Sequence, residues 1–213
     1  MIVTHFQFNH FGQNTYVVHD AETLQCAIID PGCFFEQEKQ ELKSHILSNN
    51  LQLEAIIYTH CHLDHVFGAA YIKKEFPNVV TYAHKEENFF IQDAIGQGLR
   101  FGISMEQPPP INKFISDGGI IEIGLSKLYA IHVPGHSNGS LCFYNAEKSI
   151  VFVGDVLFAG SVGRSDLPGG NHELLIQGIT SKLLVLPEQT IVYSGHGPST
   201  TIGEEKRSNP FLQ

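Results

Sequence analysis

The chain has 213 residues and a mass of 23.6 kDa, the size of one ordinary domain, and it buries roughly 70% of its unfolded surface without needing disulfide staples. Apolar residues make up 42% and charged residues 16%, the composition of a compact soluble globule. Acidic residues outnumber basic ones 22 to 13, for a net charge of −9, which argues against a nucleic-acid surface with its clustered Lys and Arg.

In chain order, residues 2–8 and 15–19 read as strands rich in aromatic and β-branched residues, with Gly12-Gln13-Asn14 turning between them. A third short strand over 26–29 is halted by Asp30-Pro31-Gly32. Asp30 has two readings that stand level: a turn residue, or a carboxylate supporting the segment around residue 60 from behind. Residues 36–49 carry Leu42, Ile46 and Leu47 at helical spacing, and Asn49-Asn50 ends that helix. An apolar strand over 53–58 leads into Thr59-His60-Cys61-His62-Leu63-Asp64-His65, followed by a helix over 66–76 and a strand over 79–82. Residues 84–95 read as helix, with Phe89 and Phe90 in the core. The span 96–113, with its glycines and Pro108-Pro109-Pro110, reads as a loop beside the active site, and Arg100 is its one strong charge for an anionic ligand. Strands follow over 120–123, 127–132, 140–144 and 149–153, then a helix over 173–186 and a last strand over 189–193. Two sheets with helices outside both is the α/β architecture this order suggests.

The stretch from Thr59 to His65 carries the chemistry. Three histidines and a carboxylate within six positions are the neutral-nitrogen and oxygen donors that zinc, iron and manganese accept. In extended backbone His60 and His62 project to the same side, whereas Asp64 and His65 open the next helix and point elsewhere. One pair for each of two metals is the natural reading, because no requirement of folding places His-x-His-x-Asp-His at a strand end. Cys61 alternates away from the two histidines and reads as small filler. With Cys26, Cys33 and Cys142 it forms no CxxC pair, so neither a zinc knuckle nor a disulfide framework is implied.

Three further candidates stand at turn points, each after a glycine that lets the backbone bend: His136, Asp155 and His196. Strand tips converge, so these can meet the first motif. His132 is set aside because Pro134-Gly135 separates it from His136, and His5, His10, His19, His45, His84 and His172 lack a ligand-like setting.

Together the motifs identify the chain as resembling the metallo-β-lactamase superfamily, and within it the short single-domain members of the glyoxalase II group. The carriers are the Thr59–His65 stretch, Pro134-Gly135-His136-Ser137, Gly154-Asp155-Val156-Leu157-Phe158 and Gly195-His196-Gly197-Pro198, with Gly163-Arg164-Ser165-Asp166 and the ending Glu205-Lys206-Arg207-Ser208-Asn209-Pro210 in support. The resemblance implies an αββα sandwich of two mixed sheets with helices on the outer faces, residues 1–213 forming one such domain. It further implies two divalent metal ions, zinc first with iron or manganese as alternatives. His60, His62 and His136 would hold one, Asp64, His65 and His196 the other, and Asp155 would bridge them. A water or hydroxide between the metals, oriented by Asp64, would attack a thioester such as S-lactoylglutathione, giving lactate and glutathione. Arg164 stands where the larger glyoxalase II enzymes carry a lysine against a glutathione carboxylate, and Asp166 where they carry a tyrosine. The sequence ends soon after His196, so the helical glutathione-gripping domain of those enzymes is not expected here.

The expected partner is therefore a small-molecule thioester, with neither nucleic acid nor membrane involved. No signal segment and no apolar run of spanning length is visible, which points to a cytoplasmic location, and oligomeric state is not legible. The competing reading is a mononuclear iron persulfide dioxygenase built on His60, His136 and Asp155, whose family resembles the chain as well. A β-lactamase is disfavoured for want of an export signal.

Overall fold

A computed structural model describes residues 1–213. The elements run β1 (Ile2–Phe8), β2 (Gln13–His19), β3 (Gln25–Ile29), α1 (Glu36–Ser48), β4 (Gln52–Ile57), α2 (Leu63–Val66), α3 (Ala69–Glu75), β5 (Val80–Ala83), α4 (Asn88–Gln92), α5 (Ala94–Arg100) and β6 (Lys113–Phe114) in the first half. The second half continues with β7 (Ile120–Ile123), β8 (Ser126–His132), β9 (Leu141–Asn145), β10 (Ile150–Gly154), β11 (Leu157–Phe158), β12 (Ser161–Val162), α6 (His172–Gly178), β13 (Ile191–Ser194), β14 (Thr200–Thr201) and α7 (Ile202–Ser208). One six-stranded sheet has the order β1-β2-β3-β4-β5-β6 and a second the order β14-β13-β10-β9-β8-β7, while β11 and β12 form a separate hairpin. Both large sheets are mixed: β3, β4, β5 and β6 run parallel, as do β10 and β13, and the remaining pairings are antiparallel.

Strand periodicity sorts the core into layers. Along β3, Ala27 and Ile29 join Phe143 and Phe152 of the other sheet between the two sheets, whereas Cys26 and Ile28 turn outward onto Leu42 and Ile46 of α1 and Ile72 of α3. The second sheet mirrors this. Cys142, Val151 and Val153 face Leu175 of α6 and Ile202 of α7, with Ile179 and Leu183 from the π-helical turn that follows α6. The result is the expected αββα sandwich. Strands buried on both faces read as unbroken apolar runs, which is why 26–29 and 149–153 were so apolar. No helix is long and apolar enough to cross a membrane.

Several boundaries differ from the sequence reading, each for a local reason. The helix expected over 66–76 is split at Phe67-Gly68. There the Gly68 N–H leaves the helical ladder to donate to Pro31 O at 2.7 Å, and a Cβ would strike Cys33 Sγ. The helix expected over 84–95 is a 3-10 turn (Lys85–Glu87) and then α4, broken at Asp93. The span expected as loop from 96 onward begins instead as helix through Arg100, even though Gly96 and Gly98 are poor helix formers. Tertiary bonds override that propensity: buried Gln97 donates from Nε2 to Phe90 O at 2.9 Å and Cys61 O at 3.3 Å. The helix expected over 173–186 ends as α-helix at Gly178. Gln13 and Asn14 belong to β2 rather than to the turn before it.

Candidate metal centre

The sandwich delivers its chemistry at one edge, outside the carboxyl ends of parallel strands, where open α/β sheets place ligand sites. Asp30 follows β3, the Thr59–His65 stretch follows β4, Asp155 follows β10 and His196 follows β13, while His136 comes from the connection between β8 and β9. Glycines permit the close approach. Gly154 has φ of 52°, and a Cβ at Gly195 would run into Asp155 Oδ1 and His65 Cε1.

Two donor groups meet there. His136 Nε2 lies 3.2 Å from His60 Nε2 and 2.9 Å from His62 Nδ1. Asp64 Oδ2 lies 3.1 Å from His196 Nε2 and 3.7 Å from His65 Nε2. Each trio fits around one ion, their donor atoms falling within 4.8 Å of one another. Asp155 reaches both trios, with Oδ1 at 3.4 Å from His65 Nε2 and Oδ2 at 3.6 Å from His196 Nε2 and 3.8 Å from His136 Nε2. All seven candidates from the sequence thus converge.

The trios suit metal ions on independent grounds. His65 Nε2 and Asp155 Oδ1 are buried with no hydrogen-bond partner, although an unpaired buried polar atom is costly. A cation held between them would remove that cost. Four of the imidazoles are also anchored through their outward nitrogen: His60 Nδ1 to Thr59 Oγ1 (3.1 Å), His65 Nδ1 to Asp30 Oδ2 (3.0 Å), His136 Nδ1 to Arg164 O (2.8 Å) and His196 Nδ1 to Phe11 O (3.1 Å). Metal-binding histidines are oriented in this way, with the other nitrogen left free for the ion. Asp30 resolves as a support. It is buried, and its carboxylate also accepts from Thr59 N at 2.7 Å and Thr59 Oγ1 at 2.6 Å. A third trio, Asp30 with His60 and His65, is geometrically close, but the Asp30 oxygens are already committed to Thr59 and His65 Nδ1.

The electrostatics of the two trios differ. Burial, reinforced by neighbouring imidazoles, holds His60 well below the ordinary histidine range and brings His62 to about 3; burial lowers His136 too. These rings are neutral and present lone pairs. Around His65 burial pulls in the same direction, yet the carboxylates of Asp64, Asp155 and Asp30 outweigh it and hold the imidazolium well above its usual range. For Asp64 and Asp155 burial favours the neutral acid, but the facing His65 and His196 keep both carboxylates ionised. Together with Asp155, the second trio thus sets two carboxylates against two imidazoles that they hold protonated, and a divalent ion bound there would take the place of those protons.

Of these side chains His62, Asp64, His136, Asp155 and His196 line the floor of a cavity of about 720 Å³, and its walls are largely apolar, with Phe11, Phe89, Phe90 and Phe101 among them. Both Arg100 and Arg164 line it. Phe90 is buried against His62, as expected for core, but Phe89 is 62% exposed at the cavity, which corrects its placement in the core. Arg164 makes a two-point pair with Asp166, with both N–O distances 2.8 Å.

A matching profile of the metallo-β-lactamase superfamily covers residues 8–196. The chain belongs to that superfamily. Within it the chain is similar to hydroxyacylglutathione hydrolase GloC of Haemophilus influenzae, 39% identical over 203 residues that span 95% of this chain and 93% of the relative. Among solved structures it is similar to BLEG-1 B3 metallo-β-lactamase (TM-score 0.91, 34% identical) and to TTHA1623 in a di-iron-bound form (TM-score 0.86, 34% identical), each alignment covering 100% of both chains. It is a glyoxalase II-like, metal-dependent hydrolase with a binuclear metal-binding site.

One supporting residue escaped the sequence reading. Glu87 is fully buried, and its carboxylate accepts from Cys61 N (2.7 Å), Ser137 Oγ (2.7 Å) and Gly139 N (2.9 Å). It therefore ties the loop bearing His60 and His62 to the loop bearing His136. Burial raises its pKa against the pull of those three hydrogen bonds. Nothing in Lys85-Glu86-Glu87 distinguishes it from its exposed neighbour Glu86.

Proposed function

We infer that the protein hydrolyses acyl thioesters, with hydroxyacylglutathiones such as S-lactoylglutathione as the substrate class. The observation that carries this reading is the pair of donor trios sharing Asp155, with His65 Nε2 and Asp155 Oδ1 buried and unpartnered, beneath a largely apolar pocket. The named activity of the Haemophilus influenzae relative supports the choice of thioester. The reading takes residues 1–213 as one metallo-β-lactamase-like domain, with His60, His62 and His136 for one ion, Asp64, His65 and His196 for the other, and Asp155 between them. The all-nitrogen-and-oxygen donor set suits zinc, and also iron or manganese.

Two divalent ions bound there would lower the pKa of a shared water and polarise the thioester carbonyl. The remaining work falls to side chains. Asp64, held ionised by His65 and His196, aims a carboxylate oxygen into the pocket, where it orients the attacking water and accepts its proton. The aromatic walls shed water as substrate enters, which strengthens every charge interaction inside. Arg164 offers its guanidinium to a carboxylate of the thiol half. The leaving group needs no acid, since a thiol of pKa about 8.5 departs readily as thiolate.

Thiol release from S-lactoylglutathione, followed while dissolved oxygen is monitored, tests the reading. Hydrolysis without oxygen uptake is expected. Oxygen uptake with glutathione persulfide, and no thioester turnover with zinc, iron or manganese, would move the assignment to the dioxygenase.

A further inference from the structure

The pocket wall carries a charge pattern that hydrolysis itself does not use. Asp93 precedes α5 and Arg100 ends it, and both line the cavity that exposes His62, Asp64 and Asp155. Arg100 Nη2 donates to Asp93 Oδ2 at 2.7 Å. Asp93 stands at the N-cap of α5, where an aspartate ordinarily accepts from the first turn, yet its side chain makes no cap hydrogen bond. The carboxylate instead lies over Gly96, where a Cβ would collide with it. The helix holding the pair is tied to the metal loop through Gln97, which donates to Cys61 O between His60 and His62. The pair therefore stands at a set offset from the donor trios.

Both side chains remain open to solvent, Arg100 at 59% and Asp93 at 35%, so their mutual attraction is weak and easily shared with a ligand. A guanidinium has five N–H donors and a carboxylate about four acceptor sites, and this pairing occupies one of each. A lone cation on a pocket wall selects an anion. Adjacent opposite charges instead complement a ligand that carries an ammonium and a carboxylate on one carbon.

We propose that Asp93 and Arg100 together recognise an α-amino-acid head group on the thiol half of the substrate, Asp93 accepting from its ammonium and Arg100 donating to its carboxylate. This inference rests on the thioester reading above and assigns residues to the amino-acid end of the thiol, which that reading left without a contact. Arg164 remains for a second carboxylate, through donors not engaged by Asp166.

The test compares enzyme carrying its metals, as wild type, Asp93→Asn and Arg100→Gln, on lactoyl thioesters of three thiols. Glutathione has the full head group, N-acetylglutathione lacks the ammonium, and N-acetylcysteamine lacks both charges. Asparagine is as good an N-cap as aspartate, so α5 is retained in the first variant. Asp93→Asn is expected to lower the preference in kcat/KM for glutathione over N-acetylglutathione by about 3- to 10-fold, the range of one exposed charged contact. Arg100→Gln is expected to lower the preference for either glutathione over N-acetylcysteamine by a similar factor. Preferences that stay at the wild-type values in both variants overturn the proposal. Calorimetric binding of free glutathione and N-acetylglutathione separates it from the reaction reading. A wild-type preference for glutathione that Asp93→Asn abolishes sustains the recognition even if no thioester is hydrolysed. Equal wild-type affinity for the two thiols overturns it even if hydrolysis is fast.

Discussion

Asp30→Asn probes how the second donor trio is held. Asp30 Oδ1 accepts from Thr59 N at 2.7 Å, while Oδ2 accepts from Thr59 Oγ1 at 2.6 Å and faces His65 Nδ1 at 3.0 Å. A backbone N–H can only donate, so the asparagine oxygen must stay on the Thr59 side and its NH₂ falls toward His65. An NH₂ cannot accept the Nδ1 proton. His65 then carries its proton on Nε2, the atom that lies 3.7 Å from Asp64 Oδ2 and 3.4 Å from Asp155 Oδ1, and loses the lone pair a metal needs. Loss of such a support typically weakens metal binding by about 10- to 100-fold, equivalent to about 1.4–2.8 kcal/mol. Titrating metal-free protein with zinc or cobalt against a competing chelator resolves two binding steps. One step should weaken by that factor and the other should hold. Two unaltered steps would refute the assignment of His65 Nε2 as a donor and of Asp30 as its support.

Asp64→Asn keeps the shape but removes the charge facing His65 and His196. A folded protein retaining the metal of the histidine trio is expected, with kcat lower by about 10²–10⁴-fold, and near-normal thioester turnover would show the second trio dispensable. For Arg164→Ala, KM for carboxylate-bearing thioesters should rise about tenfold. Because the Arg164–Asp166 pair is exposed, urea stability should stay within about 0.5 kcal/mol of wild type; the reverse pattern would make it a structural ion pair only. Asp20 accepts from Thr23 N, from Ser126 Oγ across the sandwich and from Glu22 N, which lowers its pKa from 3.8 to about 2. A depressed folded-state value means stability present above pH 4 and lost as the pH falls toward 2. In metal-free protein, the urea midpoint of wild type should therefore fall more steeply over that window than that of Asp20→Asn, and parallel profiles would discount the contact.

What the sequence made legible follows the range of each interaction. The seven candidate donors, which the fold brings together at one edge, could be picked out because they fall in short motifs at strand ends: His60, His62, Asp64 and His65 by spacing, and His136, Asp155 and His196 by their glycines. Apolar runs over 26–29 and 149–153 marked strands covered on both faces. Residues whose role is a hydrogen bond to distant backbone left no trace, since Glu87 reaches Cys61 N 26 positions back and Gln97 reaches Cys61 O 36 positions back. Asp30 was half legible, as a turn residue whose support of His65 depends on β3 lying beside β4. Local propensity misled at α5, where two glycines suggested a loop and tertiary bonds made a helix. Two-residue strands such as β11 and β12 are too short to carry a period at all.

In the proposed reaction two ions act together, and activity measured against metal equivalents tests that most directly. Metal-free enzyme is reconstituted stepwise with zinc, and thiol release from S-lactoylglutathione is recorded at each addition. Little activity at the first equivalent, a steep rise during the second and a plateau at two per chain is the predicted course. Full activity at one equivalent, unaltered by the second, would contradict it.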